Sequence, residues 1–550
     1  MLILFILYIY IFLSTVAFGQ LLIFLFLKER NNLPLDLLSL IGFIGLTCCL
    51  NLIHLFFPLS GFTLHFFTFL LIFFYRKSIL QSIKNLKIPK AKPLFYLLAS
   101  GVFISSFIVA TVSPLIGDSL GYHIQIIEWF DKYPVVHGLA NIHTRLALHS
   151  VVFPTMAFFD FSFIYGQPIF GVNSYFNTLI LIRVIYEIHT DFIQKRFVFV
   201  IIEVLFVFSN LYFLLCNFIS SPTPDYLSSM LIFYIFFILK QDKNDIQNKT
   251  AFVLVCLFLP FIKLSQVLFG VLPLLFRHQK RIWVIYFSSA ITFGVPYILH
   301  NYIQSGYIFY PTPYLNFANP DWQLPLSMPQ DSESAIVSLT SLQNWIISWA
   351  RLPEVHYTQV LSMPFSEWLP IWFKNNSVLQ NGLFFAAIIS LIFSFILWQK
   401  KQFSNRWFYL SLICGASVVF WLLTAPSFRF AYGFLWLLAL LPILSVNLSK
   451  LSPQYLSSFL SLILIVLLTL SHRPALKVIF QKRLFSLENL VIPHTIPNFP
   501  IVEKDCINFK IKIPIGNDNC GCNAVPCTPY YQSNIEMRGT DLSSGFRIKK

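Results

Sequence analysis

The chain has 550 residues, 57% of them hydrophobic and only 11% charged, with a mean hydropathy of +0.71 and a formal net charge of +15. A water-soluble domain of this composition would expose far more apolar surface than such domains carry, so the fold class expected is an all-α polytopic membrane protein. The surplus of Lys and Arg lies mostly in short segments between apolar runs, where orientation in a membrane requires it, and does not indicate nucleic-acid binding.

Each long apolar run suffices to cross the roughly 30 Å of bilayer hydrocarbon as a helix. The first, Met1 to Leu27, lacks the basic start of a cleavable signal and is too long for its apolar stretch. It ends at Lys28-Glu29-Arg30, which places the amino terminus outside. Leu35 to Phe57 is predicted to cross outward and Gly61 to Tyr75 to return. Arg76 to Lys92 has six basic residues and no acid, the clearest cytoplasmic marker in the chain. Residues 1–92 thus form a unit of extra spans ending in a basic inner loop. Pro93 to Ile116 then crosses outward and leaves Asp118 just beyond the outer face.

Residues 117–150 form a polar island holding Asp118, Glu128, Asp131, Arg145 and the histidines 123, 137, 143 and 149. Ser119 to Tyr133 is predicted to be an amphipathic helix stopped before Pro134. Leu120, Ile124, Ile127 and Tyr133 would face lipid or core, with Asp118, Tyr122, Gln125 and Trp129 on another face. Two compatible readings fit Asp118: a helix N-cap, and a general base whose pKa apolar walls would raise. His137, His143 and His149 share no helix face and lack the spacing of a known zinc motif, so they are read as ordinary loop residues. His123, beside Tyr122, falls one turn from Asp118. Arg145 is the nearby cation fit to grip a phosphate bidentately, or to anchor at a headgroup.

Val151 to His189 is predicted to return inward with a break near Tyr165-Gly166-Gln167-Pro168, and Arg196 to Cys216 to go out. Ser220 to Tyr226 (SSPTPDY) is a tight outer turn in which Asp225 either caps the next span, Leu227 to Leu239, or binds a metal or a sugar hydroxyl. Lys240 to Lys249 is a charged inner loop. Thr250 to Ile262 and Leu264 to Phe276 flank Lys263, a costly charge that is functional or snorkels to an interface. Arg277 to Arg281 is inside, and Ile282 to Tyr302 crosses outward. The interval 303–378 holds five of the eleven tryptophans and is predicted to lie along the outer membrane face. Its segment Ser305 to Tyr314 would stack on a sugar, line a lipid groove or form part of an interfacial aromatic belt. Asn381 to Trp398, Trp407 to Thr424, Phe430 to Val446 and Tyr455 to Leu470 complete about fourteen spans, with Gln399 to Arg406 and Asn447 to Leu451 inside. Arg429 stands at the outer lip of two of them.

The tail, 471–550, then falls outside, although Arg473, Lys477, Lys482 and Arg483 argue for the other side. Five of the nine cysteines (48, 49, 216, 256 and 414) lie in apolar runs and read as packing residues. Cys506, Cys520, Cys522 and Cys527 lie in the tail, where disulfides in an oxidising compartment are expected. Zinc is the alternative, and the C-x-C spacing disfavours a bond between Cys520 and Cys522.

Asp118 to His123, D-S-L-G-Y-H at the start of a long first outer loop, looks like the loop that carries the catalytic carboxylate of GT-C-type glycosyltransferases, which take sugars from polyprenyl-phosphate donors. The chain also resembles a group of uncharacterised bacterial polytopic membrane proteins, with D-x-x-x-Y-H, G-L-A-N-x-H (Gly138 to His143), S-P-x-P-D-Y, S-G-Y-x-x-Y-P and A-P-x-x-R-F. The GT-C resemblance covers roughly Pro93 to Leu470. Three spans precede that part, and the loop opens with one acidic residue where the class carries an adjacent pair. The resemblance implies a GT-C-like core over 93–470 with outer loops 117–150 and 303–378, in a bacterial inner membrane with both termini extracytoplasmic. It implies inverting transfer of a sugar from a polyprenyl-phosphate donor to a glycan, lipid or protein acceptor, with Asp118 as catalytic base. Tyr122, His123, Arg145, Asp225, Lys263 and Arg429 would bind substrate. A lipid phosphate leaves without a general acid, so one carboxylate suffices. No cofactor is called for; a divalent metal ion is open but has no clear ligand set. The alternatives are a transporter or flippase of lipid-linked saccharide, with Lys263, Asp225 and Arg429 along its path, and a non-enzymatic membrane scaffold.

Overall fold

A computed structural model describes residues 2–27, 33–84, 93–114, 116–215, 218–241, 245–276, 279–328, 336–446, 491 and 495–549. Lys28-Glu29-Arg30, the second half of the basic stretch before Pro93, Cys216, Asn447 to Leu451, Tyr455 to Leu470 and the basic residues 473, 477, 482 and 483 lie outside the described residues.

The apolar runs fold as helices. In chain order they are α1 (Leu2–Leu27), α2 (Leu35–His54), α3 (Phe62–Lys84) and α4 (Pro93–Ala110), then α5 (Ile124–Lys132), α6 (Phe153–Phe158) and α7 (Ser162–Tyr165). A bundle of α8 (Val172–Ile193), α9 (Phe197–Leu215), α10 (Pro224–Lys240), α11 (Ile246–Ile262), a 3-10 segment (Leu264–Leu275) and α12 (Lys280–Ser305) follows. Three amphipathic helices come next, α13 (Leu339–Arg351), α14 (Tyr357–Ser362) and α15 (Phe365–Asn375), then α16 (Val378–Gln399), α17 (Asn405–Thr424) and α18 (Phe428–Leu440). Among the described residues seven helices are long and apolar enough to cross a membrane: α1, α2, α3, α12, α16, α17, and α18 with its 3-10 extension to Ser445. Parts of α9, α11 and the 3-10 segment are apolar but shorter. The chain is therefore a helical membrane protein.

Two expectations about elements change. The first half of the basic stretch is not a loop: α3 runs on through Arg76 and Lys77 to Lys84, because nothing before Pro89 interrupts a helix. Val151 to His189 has the break expected near Tyr165-Gly166-Gln167-Pro168, but a second one before it leaves only the part after the breaks as a long helix. Phe161 and Gly166 take left-handed conformations, at φ of 52° and 80°, and close off α6 and α7, so α8 starts afresh at Val172.

Helix α10 is buried along nearly its whole length. It carries Asp225 in its first turn and Lys240 in its last, and these mark two opposite ends of the bundle. The loop 117–150 belongs to the Asp225 end. The ends of α2 and α12 meet it there: His54 Nε2 lies 3.1 Å from the Tyr133 carbonyl, and the Gly138 amide donates to the Ile303 carbonyl at 2.8 Å.

The tail is a small β unit. β1 (Ile501–Asp505) pairs antiparallel with β2 (Lys510–Pro514), and β3 (Ile535–Met537) with β4 (Phe546–Ile548). It sits on the polar island. Gln125 Nε2 donates to the carbonyls of Gly521 (3.0 Å) and Asn523 (2.7 Å), the Gly521 amide to the Leu120 carbonyl (2.8 Å), and the Phe546 amide to the His137 carbonyl (2.8 Å). The helix face of Gln125 and Trp129, expected to be the polar one, is thus buried beneath the tail, with Trp129 edge-on to Phe546 at 5.9 Å. Gly138 sits at φ 64°, where a side chain would collide with the Phe546 carbonyl.

Of the four candidate disulfide cysteines, Cys520 pairs with Cys527, their Cα atoms 6.0 Å apart. Cys506 and Cys522 are free thiols, which corrects the expectation that all four pair and removes the four-thiol zinc alternative. Gly521, at φ 54°, lets the chain next to this disulfide pass Phe499, since a side chain there would meet that ring at 2.8 Å. Peptide mapping under non-reducing conditions should recover Cys520 joined to Cys527, with Cys506 and Cys522 recovered as alkylated free thiols. Any other cross-link contradicts this arrangement.

Candidate functional site

The residues that open α10 leave the Asp225 carboxylate free. Thr223 is the N-cap and Pro224 the first helical residue, the position where a missing N–H costs nothing. Asp225 is therefore not the cap expected of it. Asp118 is not a cap either: its backbone is helical, at φ −62° and ψ −36°, its side chain caps nothing, and it leads into a π-helical turn, Ser119–His123. Lys263 is held extended between α11 and the 3-10 segment. Arg429 stands in the first turn of α18.

These four side chains form one chain of ion pairs. Asp118 contacts Arg429 Nη2, Arg429 Nε lies 3.5 Å from Asp225 Oδ2, and Asp225 contacts Lys263. Aromatic rings wall it. Lys263 Nζ is 3.3 Å from the centre of Phe430, and the Arg429 guanidinium is 4.7 Å from Trp349 and 4.9 Å from Phe430. Trp349 stacks on Trp345 at 5.7 Å, one helical turn away on α13. Trp345 in turn faces the Arg145 guanidinium at 4.7 Å, with Tyr122 at 5.4 Å and Tyr530 at 5.6 Å. Arg145 Nε donates to His143 Nε2 (3.1 Å), and Nη2 to the Tyr530 hydroxyl (2.7 Å). Tyr122 lies edge-on to His123 at 4.4 Å, and His123 Nδ1 is 3.3 Å from Ser119 Oγ. All seven residues singled out in the sequence thus gather in one place.

The site is partly open: the Asp118 side chain is 15% exposed, and those of Arg429 and Lys263 20%. Its charges do not balance. Arg429 and Lys263 face Asp118 and Asp225, but Arg145 is 7% exposed and, among the described residues, has no carboxylate within 4.0 Å. A buried cation with no carboxylate in contact suits an anionic ligand.

The electrostatics of Asp118 run opposite to the expectation of a raised pKa. Burial pushes its carboxyl up, but the charges of Arg429, His123 and Arg145 outweigh burial and hold it below the ordinary carboxylate range. Asp118 is a carboxylate at neutral pH. Burial drives His123 down to about 4 and His143 well below the usual imidazole range. Both rings are neutral at pH 7, which is why His143 Nε2 accepts from Arg145.

Tyr307 and Tyr310 pack in a small core shared with Tyr530 and flanked by Trp345, so they back the site, their hydroxyls donating to the Leu324 (2.9 Å) and Thr144 (2.7 Å) carbonyls. Other candidates lie apart. His149 stacks on His300 at 4.3 Å, and His137 packs edge-on to Trp322 at 4.7 Å. Among the described residues one group has carboxylates close enough to hold a metal ion, Glu187, Asp191 and Glu203 at the other end of the bundle. There Lys240 already contacts all three, so a metal would have to displace an ammonium. Sequence reasoning did not connect Trp345 and Trp349 with the site; their spacing on an amphipathic helix was the available signal. It missed Tyr530 outright, 385 residues from Arg145, and no local pattern marks it.

Fold and site together define a multi-pass helical membrane protein with an ion-paired, cation-rich site at one end of its bundle. The chain belongs to the family described as a domain of unknown function (DUF8201), whose model matches residues 1–436. No curated protein and no solved structure matches it.

The Asp118–Arg429 pair predicts a pH response. In the native protein the folded pKa of Asp118 is depressed, so its contribution to stability is complete above the unfolded value near 4 and is lost as pH falls through the folded value. In Arg429→Gln burial is opposed less and the folded pKa rises, so the sign reverses. The variant should lose about 3 kcal/mol at pH 7.5 and regain part of it at pH 5, when Asp118 takes a proton. Thermal melts in detergent at the two pH values check this; a loss independent of pH contradicts the pairing.

Proposed function

We propose that the protein is an inverting glycosyltransferase of GT-C type, moving a sugar from a polyprenyl-phosphate donor to a glycan, lipid or protein acceptor. The observation that carries this reading is the convergence of Asp118, Asp225, Lys263, Arg429 and Arg145 at one end of the bundle, with one cation more than carboxylates. A phosphate-bearing donor supplies the missing negative charge. The stacked tryptophans and Phe430 offer flat apolar faces beside those cations, suited to a sugar ring or the start of a lipid chain.

In this reading Arg145, Lys263 and Arg429 bind the donor phosphate, and Asp118 accepts the proton of the acceptor hydroxyl. That oxygen forms a bond to the anomeric carbon, the bond from that carbon to the phosphate oxygen breaks, and the phosphate departs with the electron pair. One displacement inverts the anomeric centre, and the cations stabilise the leaving charge. The Arg429 contact gives the base a control. A donor phosphate that draws on Arg429 leaves burial less opposed at Asp118, so basicity rises when the donor is in place. Tyr122 and His123 wall the Asp118 side. Asp118 and Asp225 are the carboxylates that would hold a divalent ion, in exchange for the cations they now bind, and the ion would help to neutralise the departing phosphate.

The protein would lie in a bacterial inner membrane with about fourteen crossings: α1 to α4, α8 to α12 with the 3-10 segment, α16 to α18 and the run 455–470. Both termini and the site would be extracytoplasmic. A transporter fits less well. Between Asp225 and Lys240, about 22 Å along α10, the residues from Met230 to Phe233 are buried and carry no polar group, and this turn separates the polar groups toward the two ends.

Asp118→Asn should lower sugar transfer from polyprenyl-phosphate donors by at least about a hundredfold while the protein stays folded and inserted. Transfer at the native rate rejects Asp118 as the base, and a product of retained configuration rejects the single displacement. Orientation is tested in whole cells, in a background without Cys506 and Cys522. A membrane-impermeant maleimide should label Asp518→Cys and not Lys195→Cys, and the reverse pattern would place the site on the cytoplasmic side.

A further inference from the structure

The C-terminal unit lies beyond the residues that the family model matches, 1–436, yet it reaches into the site through Tyr530. The disulfide between Cys520 and Cys527 and the Thr528 hydroxyl, which accepts from the Tyr530 amide at 3.2 Å, fix the segment that presents this side chain. Tyr530 is 9% exposed, and its ring packs edge-on to His143 at 5.2 Å. Its hydroxyl accepts from Arg145 Nη2. A phenol has one proton of its own to donate, and among the described residues no acceptor takes it. The bond accepted from a guanidinium polarises that O–H and strengthens what it can donate. A nine-tenths buried cation without a carboxylate and a nine-tenths buried O–H without an acceptor therefore stand side by side. One oxyanion would satisfy both.

We propose that Tyr530 is an anion-binding residue whose hydroxyl donates to the phosphate oxygen that pairs with Arg145, which makes the C-terminal unit part of the substrate site. The inference shares with the glycosyltransferase reading only that the ligand carries a phosphate; it does not depend on sugar transfer. A lipid phosphate and free inorganic phosphate present the same chemistry, so both serve as probes.

Full-length protein in detergent is titrated with farnesyl phosphate and, separately, with inorganic phosphate, followed by tryptophan fluorescence and calorimetry. Tyr530→Phe keeps the ring against His143 and Arg145 and removes only the hydroxyl. It should weaken binding of the probe that the native protein takes up by about tenfold or more, the effect of one hydrogen bond to a charged group. Tyr531→Phe is the control. That hydroxyl donates to the Asp505 carbonyl at 2.7 Å, away from the site, and its loss should leave affinity within about twofold, well short of one such bond. Equal affinity of Tyr530→Phe and native protein overturns the inference and leaves the lipid-donor reading intact. Binding of inorganic phosphate that depends on Tyr530, with no binding of farnesyl phosphate, supports the inference and rejects the lipid donor. Binding of neither probe to native protein overturns the inference.

Discussion

A charge inside an apolar bundle is costly unless it is paired, and the alternation Asp118, Arg429, Asp225, Lys263 pairs four such charges across four distant segments of the chain. Each inner member serves two neighbours. Removing Arg429 strands Asp118 and leaves Asp225 with Lys263 alone, and removing Asp225 strands Lys263 and half of Arg429. The start of α10, the end of α11, the start of α18 and the polar island are therefore fixed relative to one another by charge. The apolar packing of their helices alone would tolerate a slip of register.

The other end of α10 shows the same physics put to a different use. Lys240 contacts Glu187, Asp191 and Glu203, Arg183 binds Glu187 and lies 3.4 Å from Asp36, and Arg196 binds Asp191. Here the acids outnumber the bases, and the central groups are sealed: the Lys240 side chain is 3% exposed and that of Glu203 0%. A network closed in this way fastens α8, α9 and α10 together and offers little to a ligand. The site end keeps a fifth of its Arg429 and Lys263 side chains open. Access, more than charge density, distinguishes the two clusters.

The positions of the site residues were legible because polar groups are scarce in this chain, and each charge beside an apolar run is conspicuous. Their partners were not. Asp118 reads as a cap and a raised carboxyl only while Arg429, 311 residues away, is out of view; one contact reverses both statements. The apolar runs gave α1, α2, α12, α16 and α17 nearly to the residue, since length and hydropathy decide a spanning helix. They were silent where tertiary contact decides. Gln125 and Trp129 fall on a helix face other than the one given to lipid or core and are buried all the same, because a β unit some 400 positions later covers them. The G-L-A-N-x-H stretch, which carries part of the family resemblance, serves largely as architecture: Gly138 leaves room for the Phe546 carbonyl, and Asn141 Nδ2 donates to it at 3.2 Å.

Arg145 shows how a buried cation can be stabilised without being neutralised. Three aromatic rings and two neutral hydrogen-bond acceptors surround it. Ring faces lower the cost of burying a guanidinium, and the neutral His143 and Tyr530 orient its donors. Neither cancels the charge. A carboxylate in their place would bind more tightly and would have to be displaced by every incoming anion, so it would compete with the ligand it was meant to attract. Arg429 takes the opposite course, bound to two carboxylates. In the proposed reading the two arginines would divide the work: Arg145 would receive the anion, and Arg429, loosened by it, would transmit its arrival to Asp118.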